Sequence, residues 1–503
     1  MIKFLFSLIV IFFASVMHAT EAIDYSPVVG KNYPTRVLWG DTHLHTNNSP
    51  DSFTFANKNL TAEDAYRFAR GEEVKSQFGL PAKLRVPLDF LVVADHAEFL
   101  GIFPLLEAES PEFLKTRLGK HWHENIKSGN WNVVLKDFVH ALRGGKWDYK
   151  VEDSIYISVW EKVARLADQY NEPGQFTTFS GYEWSSMPNG NNLHRVVIFK
   201  DGVDKVTKVI PFSAIDSSDP EDLWQFLEEY ERNTGGEVLA IPHNPNVSNG
   251  LMFSPQKLDG SELDNPYASL RARWEPIVEV TQTKGDSESH PFLSPTDEFA
   301  DFEKWDSVNI DGSTPKQDWM LKYEYARSAL KMGLEYKQSL KVNPFKFGMI
   351  GSTDSHTSLS TADENNWYGK FPLERPKPER ATSSMPPFYD YWRLGAAGYA
   401  AVWAQENTRE SIFAAMKRRE VYASTGPRIV LRFFAAWDFL PDDIYRPDYI
   451  DIAYKQGVPM GAELTKPDRR NAPRFMISAV KDPHGANLDR IQVIKGWLDE
   501  NGK

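Results

Sequence analysis

Short apolar runs that end in polar clusters recur along the chain, and helical stretches such as residues 62–70 and 220–232 separate them. Most of the runs are continuous rather than alternating, as expected of strands buried on both faces of a parallel sheet. They cover residues 35–41, 88–101, 174–184, 192–199, 236–246, 275–285 and 346–358. This alternation predicts a barrel-like α/β fold with its site at the carboxyl ends of the strands.

The pattern changes at three places. Residues 103–172 predict a helical insertion, and residues 359–397, rich in proline, serine and aromatics, predict either a lid or a static surface loop. A helix follows over residues 407–420, with Asn407 as its expected cap.

After about residue 430 the pattern becomes β, which predicts a main domain over residues 23–430 and a β-rich segment over residues 431–503. The β-like runs are residues 428–437, 449–457, 474–482 and 489–497. Asn501-Gly502 is a hairpin-turn signal with no return strand, so either the chain is truncated or its last strand is a sheet edge.

Composition narrows the class of protein. The chain has 503 residues, of which 41% are hydrophobic, and it contains no cysteine, so a metal site would use histidine and carboxylate. The formal charge of −12 argues against nucleic acid as the main partner. Residues 1–22 have the pattern of a secretory signal peptide, with an uncleaved anchor as the alternative. We therefore expect an exported protein, periplasmic or secreted from a bacterium, with no other membrane contact.

Two histidines one residue apart, His43 and His45, lie in the stretch GDTHLHT at the end of the first predicted strand. On a strand, residues i and i+2 face the same side, so both imidazoles can bind one ion. His121 and His123 have the same spacing, but in a helical context, where such residues point apart, so we interpret them as surface residues. The spacing alone therefore does not identify a site.

Further histidines at strand ends strengthen the interpretation. Six of the twelve histidines lie in or next to β-like runs: His43, His45, His96, His194, His243 and His356. Carboxylates accompany three of these runs, in ADHAE with Asp95 and Glu98, in TDSH with Asp354, and in GYEW with Glu183. Any single histidine is more often a hydrogen-bonded core residue than a ligand. So many at successive strand ends predict a shared site.

Imidazoles and carboxylates without thiolates suit zinc, manganese or iron. These groups outnumber what one ion needs, so the sequence predicts two or three divalent ions. Such clusters bind phosphoryl oxygens and lower the pKa of a bridging water. A small anionic substrate fits this chemistry, and no pattern specifies an oligomeric state.

The motifs HLHT, ADH, the lone Glu183, PHN and TDSH resemble, in order, those of the PHP (polymerase and histidinol phosphatase) superfamily. The stretches RVPLDFLVVADHAEFLG, NLHRVVIF, IPHNPNVSNG, QTKGDSE and RREVYASTGPRI are similar to the exported family called domain of unknown function 3604. The resemblance implies a distorted (β/α)7 barrel, three metals and hydrolysis of phosphoesters.

The resemblance also implies a division of ligands among the ions. One ion would be held by His43, His45 and Asp354; Glu183 would bridge it to a second, held by His194 and His243; Asp51, His96 and His356 would hold a third. Many members of the superfamily have histidine at the position of Asp51, so the third ion would have lower occupancy.

Other polar residues are candidates for binding substrate or orienting ligands. Asp95 is expected to orient a ligand. Arg195 is interpreted equally as an anion binder or a structural residue, and Arg428 equally as a catalytic residue or part of a buried ion pair. The candidates in the QTKGDSE stretch are Gln282, Lys284, Ser287 and Glu288.

The leading prediction is a metal-dependent phosphoesterase in which a metal-bridging hydroxide attacks phosphorus. Its expected catalytic residues are Glu183, Lys284 and Arg428, with histidine or Lys284 as the acid. One alternative keeps the metal site and cleaves an amide, ester or lactone. Another is an exported protein that binds metal or ligand without turnover.

Overall fold

The structure, a computed structural model, describes residues 31–143, 149, 151–385, 389–395, 397–465 and 472–502. The predicted signal peptide, residues 1–22, lies outside the described residues. Within the described ranges, no helix has both the length and the apolar character needed to cross a membrane.

The described strands, in chain order, are β1 (Leu38–Leu44), β2 (Val74–Lys75), β3 (Pro81–Ala82), β4 (Phe90–Val93), β5 (Thr177–Trp184), β6 (Arg195–Phe199), β7 (Val238–Pro242), β8 (Ile277–Gln282), β9 (Gly285–Asp286), β10 (Gly348–Gly351), β11 (Ser384–Met385), β12 (Tyr389–Asp390), β13 (Tyr399–Val402), β14 (Val421–Ser424), β15 (Val430–Ala436), β16 (Val458–Pro459) and β17 (Arg474–Val480). Each of the seven apolar runs between residues 35 and 358 overlaps at least one of these strands.

The described α-helices are α1 (Pro50–Thr54), α2 (Ala62–Ala69), α3 (Ile102–Glu107), α4 (Pro111–Lys115), α5 (Arg117–Lys127), α6 (Trp131–Leu142), α7 (Asp153–Tyr170), α8 (Val203–Val206), α9 (Pro220–Thr234), α10 (Asn265–Trp274), α11 (Asp318–Leu321), α12 (Ala326–Ser339), α13 (Arg409–Lys417) and α14 (Tyr449–Gln456). Helix α9 has a clear start and stop in its sequence. Asp219 caps its first turn, Pro220 begins it, and Gly235 ends it in the left-handed conformation.

A seven-stranded sheet in the order β14-β13-β1-β4-β5-β6-β7 forms the centre of the fold. The pairs β1–β4 and β4–β5 are parallel, whereas β5–β6, β6–β7, β1–β13 and β13–β14 are antiparallel. The expectation of a mainly parallel sheet is therefore wrong for the seven-stranded sheet, because four of its six strand pairs are antiparallel. Strands β1 and β4 approach closely at Gly40, where a Cβ atom would lie 2.5 Å from the Phe90 ring.

The seven-stranded sheet curls into a half-barrel, and a second sheet, β10-β8-β9, contains the parallel pair β8–β10. The chain after β10 joins the end of β1, because the Asp354 amide donates to the His43 carbonyl over 2.8 Å. Ile277 of β8 and Ile350 of β10 belong to the same buried cluster as Phe90, Val92 and other residues of the large sheet. The mixed α/β architecture is thus as predicted, and the complete (β/α)7 barrel implied by the resemblance stays a prediction.

The C-terminal part differs from its predicted pattern at residues 449–457. These residues form helix α14, because Tyr449, Ile452 and Ala453 have helical spacing and share a small apolar cluster with Phe434 and Met476. Strands β15, β16 and β17 form a separate sheet beside it, and residues 489–497 form no strand.

Helix α13 begins one residue later than expected, because Thr408 rather than Asn407 caps it. The Asn407 side chain instead donates to the carbonyls of Asp89 and Gln175.

The β8–β9 hairpin holds a buried carboxyl group, Asp286, which accepts backbone hydrogen bonds from Glu288 and Ser289. Burial, with the nearby charge of Glu288, raises its pKa from 3.8 to about 7. The folded chain therefore keeps this proton at pH values where the unfolded chain has lost it, and stability falls as pH rises from about 4 to about 7.

We expect Asp286→Asn to remove this fall. Relative to the wild type, the variant should gain stability between pH 4 and 7 and keep a constant gain above pH 7, of at most about 4 kcal/mol at about 1.4 kcal/mol per pKa unit. Tm values of both proteins across this range measure the effect. Parallel Tm curves would contradict it.

Candidate metal centre

Nine side chains predicted as ligands come together at one edge of the half-barrel. The carboxyl ends of the parallel strands lie at this edge. The start of β6 lies there too, because β6 runs antiparallel to β5 and Arg195 pairs with Trp184. The nine residues are His43, His45, Asp51, His96, Glu183, His194, His243, Asp354 and His356. All are buried except Asp51 and His96, which are partly exposed.

The Glu183 carboxylate lies at the centre of this group. Its Oε1 atom lies 2.6 Å from His194 Nδ1 and 2.8 Å from His243 Nε2. Its Oε2 atom lies 3.0 Å from His96 Nδ1, 3.2 Å from His45 Nε2 and 3.4 Å from His43 Nε2. One carboxylate thus contacts five imidazoles, as a bridging ligand would.

Asp354 forms a second carboxylate focus. Its Oδ1 atom lies 3.4 Å from His45 Nε2 and 3.6 Å from His43 Nε2. Its backbone is in the left-handed region, with φ of 48°, three residues after the end of β10. Such strained positions concentrate at functional sites, and aspartate tolerates this conformation better than most residues.

Asp51 forms the third focus, at the start of the short helix α1. Its carboxylate lies 2.8 Å from His356 Nε2 and 3.3 Å from His96 Nε2. Three sets have ligand atoms within 4.8 Å of one another: His43–His45–Asp354, His43–Glu183–His243 and His45–His96–His356. The first matches one ion's predicted ligands, and the other two combine residues that the resemblance divides among different ions.

Neighbouring groups fix the orientation of the first two histidines. His43 Nδ1 lies 3.0 Å from the buried carboxylate of Glu279. His45 Nδ1 lies 2.8 Å from the Ser49 hydroxyl, which donates to Asp95 over 2.7 Å. Since the Ser49 proton is used on Asp95, Ser49 accepts from His45 Nδ1–H, and the lone pair of His45 Nε2 faces the carboxylates. Asp95 thus lies where a residue that orients a ligand is expected.

Unpartnered nitrogen atoms test whether the cluster fits metal ions. His45 Nε2, His194 Nε2 and His243 Nδ1 are buried, and none of them makes a contact with hydrogen-bond geometry to a described residue, although carboxylate oxygens lie close to His45 Nε2. An unsatisfied buried nitrogen costs free energy unless another group binds it. Imidazole nitrogens beside carboxylates are the donor set that zinc, manganese and iron take, so the residues fit such ions.

The electrostatics keep the ligands in different charge states. Burial disfavours charge on Glu183, but the imidazoles of His96, His243 and His194 outweigh burial and hold its pKa well below the usual range. Burial lowers the pKa of His194 to about 4, despite the neighbouring Glu183. Burial opposes protonation of His43 as well, but Asp354 and Glu279 outweigh it and raise its pKa to about 10.

Two lysines contact Asp354 beside the cluster. Lys284, a predicted catalytic residue, donates to Asp354 Oδ2. Lys370, which the sequence did not indicate, donates to Asp354 Oδ1 over 2.5 Å and lies 2.9 Å from His356 Nδ1. Burial of the Asp354 carboxyl raises its pKa, but both lysines outweigh this and hold the pKa well below its usual range.

Not every candidate lies at the cluster. Gln282 donates to Asp354, but Ser287 Oγ donates to Asn246 and Glu288 pairs with Arg327. Arg195 is fully buried and pairs with Glu275, so its role is structural.

Arg428 requires a correction, because it does not line the cavity above the cluster. Its guanidinium donates to the backbone carbonyls of Val86 and Pro87 and lies over the Tyr399 ring. Among the described residues the Arg428 guanidinium forms no ion pair within 4.0 Å, and its backbone amide donates to Asp482.

Two residues of the site escaped the sequence reasoning. Glu279 lies in the run PIVEVTQ, where a single carboxylate within a buried strand was the available signal. Lys370 lies in the irregular segment 359–397, whose sequence has no period that would direct its side chain.

Comparison with known proteins gives a family but no activity. The family model described as Protein of unknown function (DUF3604) matches residues 32–503. Uncharacterized proteins of Chlamydia muridarum and Chlamydia trachomatis are 22% and 21% identical over 294 residues, which cover 57% of this chain. The match covers 34% of each relative, so the chain spans about a third of their length.

One solved structure is a two-domain protein of Bacteroides vulgatus ATCC 8482, described as containing a predicted PHP-like metal-dependent phosphoesterase. The likeness has a TM-score of 0.29 at 11% identity, covering 77% of this chain and 64% of that protein. A likeness this weak does not establish a shared activity.

Proposed function

The chain belongs to the family described as Protein of unknown function (DUF3604), and we propose that it is a metal-dependent phosphoesterase. The observation that carries this proposal is the convergence of nine candidate metal ligands beside two lysines, with three buried imidazole nitrogens that make no hydrogen bond among the described residues. The arrangement combines a site for divalent ions with cations that can bind an anionic substrate.

We assign two or three divalent ions, zinc, manganese or iron, to this centre. In this assignment, His43, His45 and Asp354 would hold one ion, Glu183 with His194 and His243 would hold another, and Asp51, His96 and His356 would hold the third. Bound ions would polarise a phosphoryl oxygen and make water more acidic.

The residues of the chain supply the rest of the chemistry. Lys284 and Lys370 are the candidates to donate hydrogen bonds to non-bridging phosphoryl oxygens, since their ammonium groups already lie at a carboxylate oxygen of the centre. Lys284 is also the candidate acid for the leaving oxygen. Glu279, Ser49 and Asp95 keep the imidazoles of His43 and His45 in position.

A panel of chromogenic substrates tests the reaction class. We expect the manganese- or zinc-loaded protein to hydrolyse aryl phosphomonoesters or phosphodiesters, to lose this activity on chelation, and to regain it when the metal returns. The double variant His43→Ala, His45→Ala is the control, and its rate measures hydrolysis that does not depend on the metal centre.

The same panel contains aryl esters, anilides and lactones. Turnover of these substrates alone would replace the proposal with an amide, ester or lactone hydrolase. Tight metal binding with no turnover of any substrate above the double variant would indicate a binding protein.

We further propose that the substrate is a small anion met outside the cytoplasm. The signal-like N-terminal sequence supports export. The two lysines support an anionic substrate despite the formal net charge of −12.

A further inference from the structure

A cavity of about 340 Å³ opens over the metal-centre residues, and its two ends differ in chemistry. Its floor contains the carboxylates and imidazoles of the centre with Lys284 and Lys370. Its walls are largely apolar, and the side chains that carry the argument are Phe55, Leu135, Phe138, Val139, Phe371 and Leu394. A bound molecule would therefore meet the charged groups of the centre and, beside them, apolar side chains.

Two of the polar side chains in the walls, Arg143 and Tyr389, are already paired within the protein. Arg143 donates to Asp311 over 2.6 Å, and the Tyr389 hydroxyl donates to Glu374 over 2.6 Å. A substrate rich in hydroxyl groups, such as a sugar phosphate, would lose hydrogen bonds to water on entering these walls and gain few in return. The walls instead favour a substrate with an apolar group.

Helix α6 extends the apolar wall along one of its faces. Trp131, Leu135 and Val139 follow one another at intervals of four residues, and they are 45%, 43% and 40% exposed. Leu135 and Val139 line the cavity, and Trp131 lies one turn further along the same face. Exposed apolar side chains continuous with a binding cavity indicate a ligand that covers them.

We propose that the substrate is an amphiphilic phosphoester, with its phosphoryl group at the metal centre and an unbranched hydrocarbon chain against Phe138, Leu135 and Val139. The phosphoryl end of this proposal rests on the proposed function. The hydrocarbon end rests on the cavity walls and the exposed face of α6.

Binding of n-alkylphosphonates from methyl to octyl tests the proposal on the metal-loaded protein, by titration calorimetry below the concentrations at which they form micelles. We expect the affinity to rise with chain length, by up to about fourfold per methylene that the walls bury. A flat series would overturn the proposal. Binding is measured without turnover, so the two proposals can fail separately. An affinity that rises with chain length, in a protein that hydrolyses no phosphoester, would refute the proposed function and leave the apolar part of the site in place.

Variants of α6 test where the hydrocarbon chain of the ligand binds. The double variant Leu135→Asn, Val139→Asn should remove the rise in affinity with chain length and leave methylphosphonate binding unchanged. Ile157→Asn is the control, at a residue of α7 that is 46% exposed and outside the cavity, and it should leave the affinities of the whole series unchanged. The milder pair Leu135→Ala, Val139→Ala should reduce the slope by a smaller amount. An unchanged slope together with a changed oligomeric state would assign this face to contact between copies and overturn the proposal.

Discussion

Asp354→Asn is expected to lower kcat/KM for phosphoester hydrolysis by at least about 10³-fold and to reduce the metal bound per chain. Asp354 contacts three imidazoles and both lysines of the centre, so its charge positions ligands and cations together. Loss of a metal's contribution to the transition state removes several kcal/mol, and each 1.36 kcal/mol is a factor of ten in rate. Steady-state kinetics and elemental analysis of the purified variant measure both effects.

Glu279→Gln provides a graded comparison, because Glu279 contacts His43 and does not belong to the nine predicted ligands. Residues that orient a ligand typically contribute about 10- to 100-fold, so this variant should retain more activity than Asp354→Asn. Equal metal content and equal kcat/KM in Asp354→Asn and the wild type would show that Asp354 has no part in the centre.

Glu275→Gln is expected to destabilise the fold by about 3–5 kcal/mol, the cost of removing one partner from a buried ion pair. Glu275 is 4% exposed; it accepts from Arg195 and Trp224 and pairs with Arg271 over 3.0 Å. Both arginines are at most 2% exposed, so they would be left buried without a charged partner. Urea denaturation measures the change in the free energy of unfolding.

Glu228→Gln is the matched control for this stability effect. Glu228 pairs with Arg273 of the same helix as Arg271, but both side chains are nearly half exposed. Exposed pairs contribute about 0–1 kcal/mol, so this variant should unfold close to the wild type. Similar losses in the two variants would contradict a special role for the buried group.

The sequence predicted the site better than the sheet that holds it. Strand ends could be located because apolar runs stop at polar residues, and His43 and His45 could be paired because residues i and i+2 of a strand share a face. Strand direction could not be predicted, because a buried run looks the same in a parallel and an antiparallel sheet. His194 shows the difference: it reaches the site from the start of β6, not from a strand end.

Other errors came from short segments and long side chains. Residues 449–457 contain too few apolar positions for the sequence to distinguish a strand from a helix. In the structure the segment is helical, with its apolar side chains packed against Phe434 and Met476. Arg428 was expected at the site and lies away from it, whereas Lys370 was not expected there and contacts Asp354, because the reach of a long side chain depends on the loop that carries it. That loop geometry has no period in the sequence.

Anomalous diffraction from crystals of the manganese-loaded protein, soaked with phosphate, tests the central claim most directly. The account predicts at least two manganese peaks among His43, His45, Glu183, His243 and Asp354, with phosphate bound to them and contacted by Lys284 or Lys370. Manganese peaks elsewhere on the surface, with none at these residues, would contradict it.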